Sequence, residues 1–291
     1  MQQTTRFSPI VAGTMLWGQW GKKYSTAAMS ALISHCVAHD ITSFDHADIY
    51  GGYTNEEDFG LAFQTSGIRR SDIQLISKCG IKMVCDNRSY RLGHYDYSLE
   101  YIMSSCERSL TNLKTDYLDL FLMHRPSPLM QSEIIAEAAT KLKEQGKILD
   151  FGLSNFTPSQ TAMIRQYVPV SFNQIEFSLT HHEPLTDGSL DDMILHRIRP
   201  MAWGPLGSLF KENTPRTVRI EAVLDVLTQK YDVPKDIILF NWILRHPAGI
   251  IPVVGTGDKD RIARLKTAWS FLMEEEDWFE LWVASMGHPV P

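Results

Sequence analysis

The stretch most able to do chemistry is Phe44-Asp45-His46-Ala47-Asp48-Ile49-Tyr50-Gly51. A phenol and a carboxylate follow what reads as the end of a buried strand, Ile41 to Phe44. A phenol ionises only near pH ~10 unless a neighbour stabilises the phenolate. Lys78 is the candidate neighbour, at the end of the run Ile73-Gln74-Leu75-Ile76-Ser77. Its protonated amine beside Tyr50 would lower the phenol toward working pH, and Asp45 would hold the ammonium in place. Tyr50 is then equipped to protonate a carbonyl oxygen as it becomes an alkoxide. His124 ends another run, Leu118-Asp119-Leu120-Phe121-Leu122-Met123, where it is placed to orient that carbonyl or join a proton relay. The plain alternative is a structural Lys78–Asp45 ion pair, Tyr50 on a pocket rim and His124 as a core histidine. It serves for any one residue but less well for all four at strand ends, since perturbed groups cluster at functional sites. His46 and Asp48 alternate with Asp45 and Ala47, so a continuing strand turns them to the other face.

A second set suits a nicotinamide cofactor. Ser154, Asn155 and Gln174 bring hydroxyl and amide groups to two strand ends, as a carboxamide requires. Trp203 offers a flat face for stacking a ring. Gly255-Thr256-Gly257 before a helix start is a natural phosphate site, with Lys259, Arg261 and Arg264 close behind. That excess of cations suits the extra phosphate that separates NADP from NAD. Each residue also has a structural reading: a helix-entry turn at Ser154-Asn155, a core tryptophan, a charged helix face.

These residues need a scaffold that brings strand ends together. Strands are expected at the apolar start around Gly13, then at Ile41–Asp45, Ile73–Ser77, Tyr117–Met123, Ile148–Leu153, Ser171–Ile175, Pro200–Trp203 and Ile250–Val254. Helices are expected between them, among them 25–38 with Ser25 as cap, 55–63 with Asn55 as cap, 97–113, 131–145, 218–230 and 234–245. A helix at 275–286 closes the chain. About eight strand–helix alternations with short links mean a parallel sheet. Polar and glycine signals follow nearly every strand, and no G-x-G-x-x-G turn follows the first. Both favour a (β/α)8 barrel, with its site at the C-terminal face of the strands, over a doubly wound sheet. Residues 1–291 read as one such domain. The polar stretch 81–96 is too long for a plain connection and reads as a functional loop.

Composition narrows the classes. The chain has 291 residues, 44% hydrophobic and 21% charged, with a net charge of -6. That argues against nucleic acid as a partner. No run approaches the ~18 apolar residues of a membrane span and no leader pattern opens the chain, so a cytoplasmic protein is expected. Cys36, Cys79, Cys85 and Cys106 form no C-x-x-C pair and are expected as thiols. No His/acid cluster has metal spacing, and His181 and His182 read as loop residues.

With these residues in view, the chain resembles the aldo-keto reductase superfamily over nearly its full length. The motifs are Gly13-Thr14, Asp45-x-Ala47-x-x-Tyr50-Gly51, Ser77-Lys78, His124-Arg125-Pro126, Gly152-x-Ser154-Asn155-Phe156 and Asn173-Gln174, in the family's order. The wording around Asp45–Tyr53 and Ser77–Ile81 looks most like a bacterial YdhF-like oxidoreductase branch. The resemblance implies a (β/α)8 barrel binding NADP(H) across its C-terminal face and reducing a small-molecule carbonyl substrate, as a monomer. It implies Tyr50 as general acid, Lys78 and Asp45 as its pKa-lowering pair and His124 as the substrate-orienting histidine. Gly13, Thr14, Asp45, Ser154, Asn155, Gln174, Trp203, Gly204, Pro205, Leu206, Gly207, Gly255, Thr256, Gly257 and Arg261 would meet the cofactor. Two departures stand out. Ile251-Pro252-Val253-Val254 replaces the frequent Ile-Pro-Lys-Ser, and Arg264-Leu265 replaces the Glu-Asn pair that often holds adenine. Rival readings are a Schiff-base lyase using Lys78, a glycosidase, for which paired carboxylates at strand ends are missing, and a non-catalytic NADPH-binding sensor or regulatory protein.

Overall fold

The computed structural model describes residues 6–290. Ten strands are labelled in chain order: β1 Val11–Gly13, β2 Ser43–Asp45, β3 Gln74–Cys79, β4 Ile81–Lys82, β5 His94–Tyr95, β6 Leu118–Met123, β7 Ile148–Ser154, β8 Phe172–Glu176, β9 Arg199–Trp203 and β10 Ile251–Val254. Eight of them close into a barrel in the order β1-β10-β9-β8-β7-β6-β3-β2, every neighbouring pair parallel. This is the (β/α)8 architecture, with helices over the outside of the sheet.

The period-two geometry of a strand sorts the side chains. Val11, Ile76, Leu120, Leu122, Phe172, Met201, Ile251 and Val253 fill the barrel interior with Phe7. Their neighbours, such as Phe44, Leu75, Phe121 and Phe151, join the larger core between sheet and helices. Burying each such side chain stabilises the fold by about 1.5–3 kcal/mol. The same alternation carries the inward register past Ile76 to Lys78, past Leu122 to His124, past Phe172 to Gln174 and past Met201 to Trp203. The sites at the strand ends are thus set by the packing of the barrel beneath them.

The helices follow their caps. Ser25 accepts from the Ala28 amide ahead of Thr26–Ala38, and Thr157 forms a reciprocal capping box with Gln160 ahead of Pro158–Arg165. The final helix, Glu275–Met286, docks by a stacked Trp242–Trp278 pair, centroids 4.9 Å apart, whose indole N–H groups donate to each other's carbonyls.

β1 ends at Gly13, where the first strand is expected, and residues 15–22 form a turn-rich loop. Two expectations need correction. Asn55 does not cap its helix, which runs Asn55–Ser66; its amide instead donates to the Thr14 carbonyl (3.0 Å) and hydroxyl (3.2 Å), tying the helix to the end of β1. The stretch 81–96 is not all loop: β4 and β5 pair antiparallel at its base. Strands of two residues are too short to show alternation in a sequence.

Candidate active site

At the C-terminal mouth of the barrel, Lys78 and Asp45 form a fully buried ion pair. The Lys78 Nζ donates to Asp45 Oδ2 at 2.7 Å, to the His46 carbonyl at 2.8 Å and to the Tyr50 hydroxyl at 3.2 Å. All three ammonium protons are therefore directed. The Gln174 amide donates to the other Asp45 oxygen at 2.9 Å. A charge this deep survives only when so completely paired.

The turn after Tyr50 aims its phenol. Gly51 and Gly52 take φ values of 62° and 69°, which let the chain fold back before the helix at Asn55. The Asn87 amide donates to the Gly52 carbonyl, and the Tyr53 hydroxyl donates to the Ile81 carbonyl, so the β4–β5 hairpin braces the turn from outside. The His124 ring stands edge-on to Tyr50, centroids 6.1 Å apart, and the indole of Trp20 lies 6.1 Å from Tyr50 on the mouth side.

Electrostatics fixes the protonation states. Burial alone would lower Lys78, but the Asp45 carboxylate and the Tyr50 oxygen overcome it and hold the amine above its usual value. Lys78 is thus a cation at neutral pH. Burial pushes Tyr50 above the usual phenol value, although the Lys78 charge pulls it down. The sequence expectation of a phenol lowered toward neutrality therefore needs correction: Lys78 pulls the phenol down, but desolvation outweighs that pull. His124 lies well below its usual value through burial and the charges of Lys78 and Arg125, so its imidazole is neutral. The arrangement is a cation behind two neutral donors, suited to polarising and protonating a carbonyl oxygen.

Several candidate cofactor residues gather on the same face. Asn155 sits at φ 63°, a left-handed conformation asparagine tolerates. Its amide donates to Ser154 Oγ (2.8 Å), and its Oδ1 accepts the Trp203 indole N–H (2.8 Å), which fixes the plane of the ring. Gln174 Oε1 meets no donor among the described residues, leaving an acceptor beside these groups. Gly204-Pro205-Leu206-Gly207 forms a turn closed by the Gly207 amide on the Gly204 carbonyl (2.7 Å). Trp17 and Tyr24 donate to the carbonyls of Thr256 and Gly257, tying the Gly255–Gly257 loop to the β1 loop that follows Gly13. Arg261 is exposed and forms no ion pair among the described residues, whereas Arg264 is tied to Asp236 at 2.6 Å. Thr14 is wholly buried, its hydroxyl donating to the Asp45 carbonyl at 2.9 Å, so its side chain is a brace beneath the site.

His46 and Asp48 point away from the mouth, as their alternation requires. His46 packs against Phe59, and Asp48 accepts from Ser105 Oγ at 2.8 Å in a buried pocket. Glu56 lies in the same region and accepts from Ser77 Oγ at 2.6 Å. Burial and the Glu56 charge raise the Asp48 carboxyl to about 7. Between its unfolded value of about 4 and that value, the folded state holds the proton that the unfolded state releases. Stability therefore falls as pH rises through this window and levels off above it. Asp48→Asn is expected to raise Tm at pH 8 and to flatten the thermal-shift profile between pH 4 and 7; an unchanged slope contradicts this.

Three residues at the mouth escaped sequence reasoning as site residues: Trp20, Arg125 and Tyr97. Trp20 sits in an apolar run with no period to set it apart. Arg125 was visible only as the neighbour of His124. Tyr97 reaches the site only through tertiary contacts, where its hydroxyl accepts from the Arg125 amide and donates to the Arg125 carbonyl.

With this geometry established, residues 9–282 match the model of the Aldo/keto reductase family. The chain belongs to that family. Within the aldo/keto reductases it is similar to the uncharacterized oxidoreductase YcsN of Bacillus subtilis, 40% identical over 100% of this chain and 98% of that one. It is 36% identical to oxidoreductase YdhF of Escherichia coli, over 99% and 97% of the two chains. The 6-dehydroglucose reductase of Agrobacterium fabrum is also 36% identical, over 100% of both. The YdhF-like resemblance of the sequence is thereby met. No helix among the described residues is long and apolar enough to cross a membrane.

Proposed function

We propose that this aldo/keto reductase reduces an aldehyde or ketone with NADPH, using Tyr50 as general acid. The observation that carries the reading is the buried chain Asp45–Lys78–Tyr50, with contacts of 2.7 Å and 3.2 Å, beside a neutral His124. The substrate carbonyl would accept hydrogen bonds from Tyr50 and His124. As negative charge develops on its oxygen, Tyr50 passes its proton, and Lys78 stabilises the phenolate left behind. Asp45 holds Lys78 throughout and keeps it charged. A charged Lys78 is a poor nucleophile, which counts against the Schiff-base alternative.

The residues present suit a nicotinamide. Trp203 supplies a ring held in plane by Asn155, and Ser154, Asn155 and Gln174 supply hydroxyl and amide groups for a carboxamide. Gly13, Thr14 and the 204–207 turn would flank it, and Gly255–Gly257 with Arg261 would take the phosphate end. Bound there, NADPH would supply the hydride. The name of the Agrobacterium relative suggests an oxidised sugar as one substrate to try.

Titration with NADPH and NADH, followed by tryptophan fluorescence, tests the cofactor assignment. Tight NADPH and weak NADH binding are expected, with the difference shrinking by roughly tenfold in Arg261→Ala, since a charged hydrogen bond contributes about 1.5–3 kcal/mol. Binding of neither nucleotide overturns the reading. Equal binding of both removes the role given to Arg261.

A further inference from the structure

Arg125 has no role in the chemistry above, yet it lies across the mouth of the barrel. It follows His124 at the end of β6, and its Cζ lies 5.5 Å from the ring of Trp203 at the end of β9. β7 and β8 stand between these two strands. Neighbouring strands are about 4.8 Å apart, so the side chain must lean over the opening to reach Trp203. Its charge is felt by both Tyr50 and His124, which places it on their side of the cleft.

The backbone at this point is held firmly. The Tyr97 hydroxyl bonds both the amide and the carbonyl of Arg125. Tyr97 has room for this because residue 80 is glycine: a Cβ there would lie 2.4 Å from the Tyr97 hydroxyl and 2.1 Å from its ring. Tyr97 follows directly on β5 and Asp96, so the base of the 81–96 hairpin and the Arg125 loop are fixed to each other.

The charges in the cleft do not cancel. Lys78 is neutralised by Asp45, while Tyr50 and His124 are uncharged. Arg125 is half-buried, and its guanidinium forms no ion pair and no hydrogen bond among the described residues. Three arginines nearer the barrel base do find partners: Arg6 with Asp150, Arg69 with Asp72 and Arg70 with Asp119. A planar fork of donors left unpaired beside an aromatic ring matches a carboxylate in shape and sign.

We propose that Arg125 forms an anion subsite, and that the preferred substrates are carbonyl compounds bearing a carboxylate at the end remote from the reacting oxygen. The proposal rests on the reductase reading of the cleft and adds the substrate class to it. The carboxylate would pair with Arg125 while the carbonyl meets Tyr50 and His124, so binding and chemistry are handled by different groups.

Succinic semialdehyde and its methyl ester differ in that charge and in one methyl group, and make a direct test. The unsubstituted protein should favour the acid. In Arg125→Gln, kcat/KM for the acid should fall ~10–100-fold, the equivalent of one charged hydrogen-bonding pair. The loss should appear in KM, with the ester changed several-fold at most and NADPH affinity kept. Arg125→Lys should recover part of the loss. Equal losses on acid and ester overturn the proposal, as they would show Arg125 shaping the pocket or serving uncharged hydroxyls. A fall in NADPH affinity also overturns it, by assigning Arg125 to the cofactor. Turnover of neither aldehyde by the unsubstituted protein sinks the reductase reading instead. Calorimetric titration with the product anion 4-hydroxybutanoate then decides the subsite alone: binding that is lost in Arg125→Gln supports it, and no binding to the unsubstituted protein overturns it.

Discussion

Tyr50→Phe is expected to cost ~10²–10⁴-fold in kcat for carbonyl reduction, the range for loss of a positioned general acid. Of the three groups that accept from Lys78, the phenol, at 3.2 Å, is the one with a proton to give, and phenylalanine removes its hydroxyl while keeping the ring. The ring keeps its contacts with His124 and Trp20, so the fold and the nicotinamide site should survive. NADPH binding by the variant is therefore expected to be unchanged, which separates loss of chemistry from loss of structure. Single-turnover absorbance at the reduced-nicotinamide band reads the chemical step directly. Activity within tenfold of the unsubstituted protein would remove Tyr50 from the mechanism.

Lys78→Met should damage both stability and activity. Lys78 is fully buried and its ammonium has three protein acceptors, one of them the Asp45 carboxylate. Removing it leaves Asp45 buried with only the Gln174 amide as partner. Breaking a buried pair from one side typically costs about 3–5 kcal/mol. For a chain of this size that corresponds to a fall in Tm of roughly 6 °C or more. Activity should be lost as well, because nothing then stabilises the Tyr50 phenolate. Combining Lys78→Met with Asp45→Asn removes the stranded charge, so much of the stability should return while activity does not. Calorimetry and turnover assays on the single and double variants check both parts. Recovery of activity in the double variant would show that the charges serve the fold alone.

The pair also carries a pH signature. Lys78 is held above its usual value, so its contribution to stability is full below the unfolded lysine pKa of about 10.4 and is lost only as pH rises past the folded value. The Asp48 effect runs in the acid-to-neutral window instead. The two contributions are thus separable by pH alone.

The barrel and its chemical groups can be read from the chain alone. Eight apolar runs separated by amphipathic segments leave few alternatives to a closed parallel sheet. Side chains that end such runs have to emerge at one rim, so Asp45, Tyr50, Lys78, His124, Ser154, Gln174 and Trp203 were legible as a set. The alternation of Asp45 and Ala47 with His46 and Asp48 also foretold which of them face away.

How these groups are tuned depends on depth and contacts that exist only once the chain has folded. Whether burial or Lys78 governs the Tyr50 phenol is a contest between desolvation and Coulomb attraction, and it depends on depth and distance that a sequence does not state. That the Thr14 hydroxyl is buried on the Asp45 carbonyl, so that its side chain braces the site from beneath, is visible only in the folded chain. Arg125 looked like a companion of His124 until its side chain was found near Trp203, which is 78 positions away in the chain and adjacent in space. Local patterns record which face a residue takes. Partners brought together by barrel closure come from distant segments, and no local pattern encodes them.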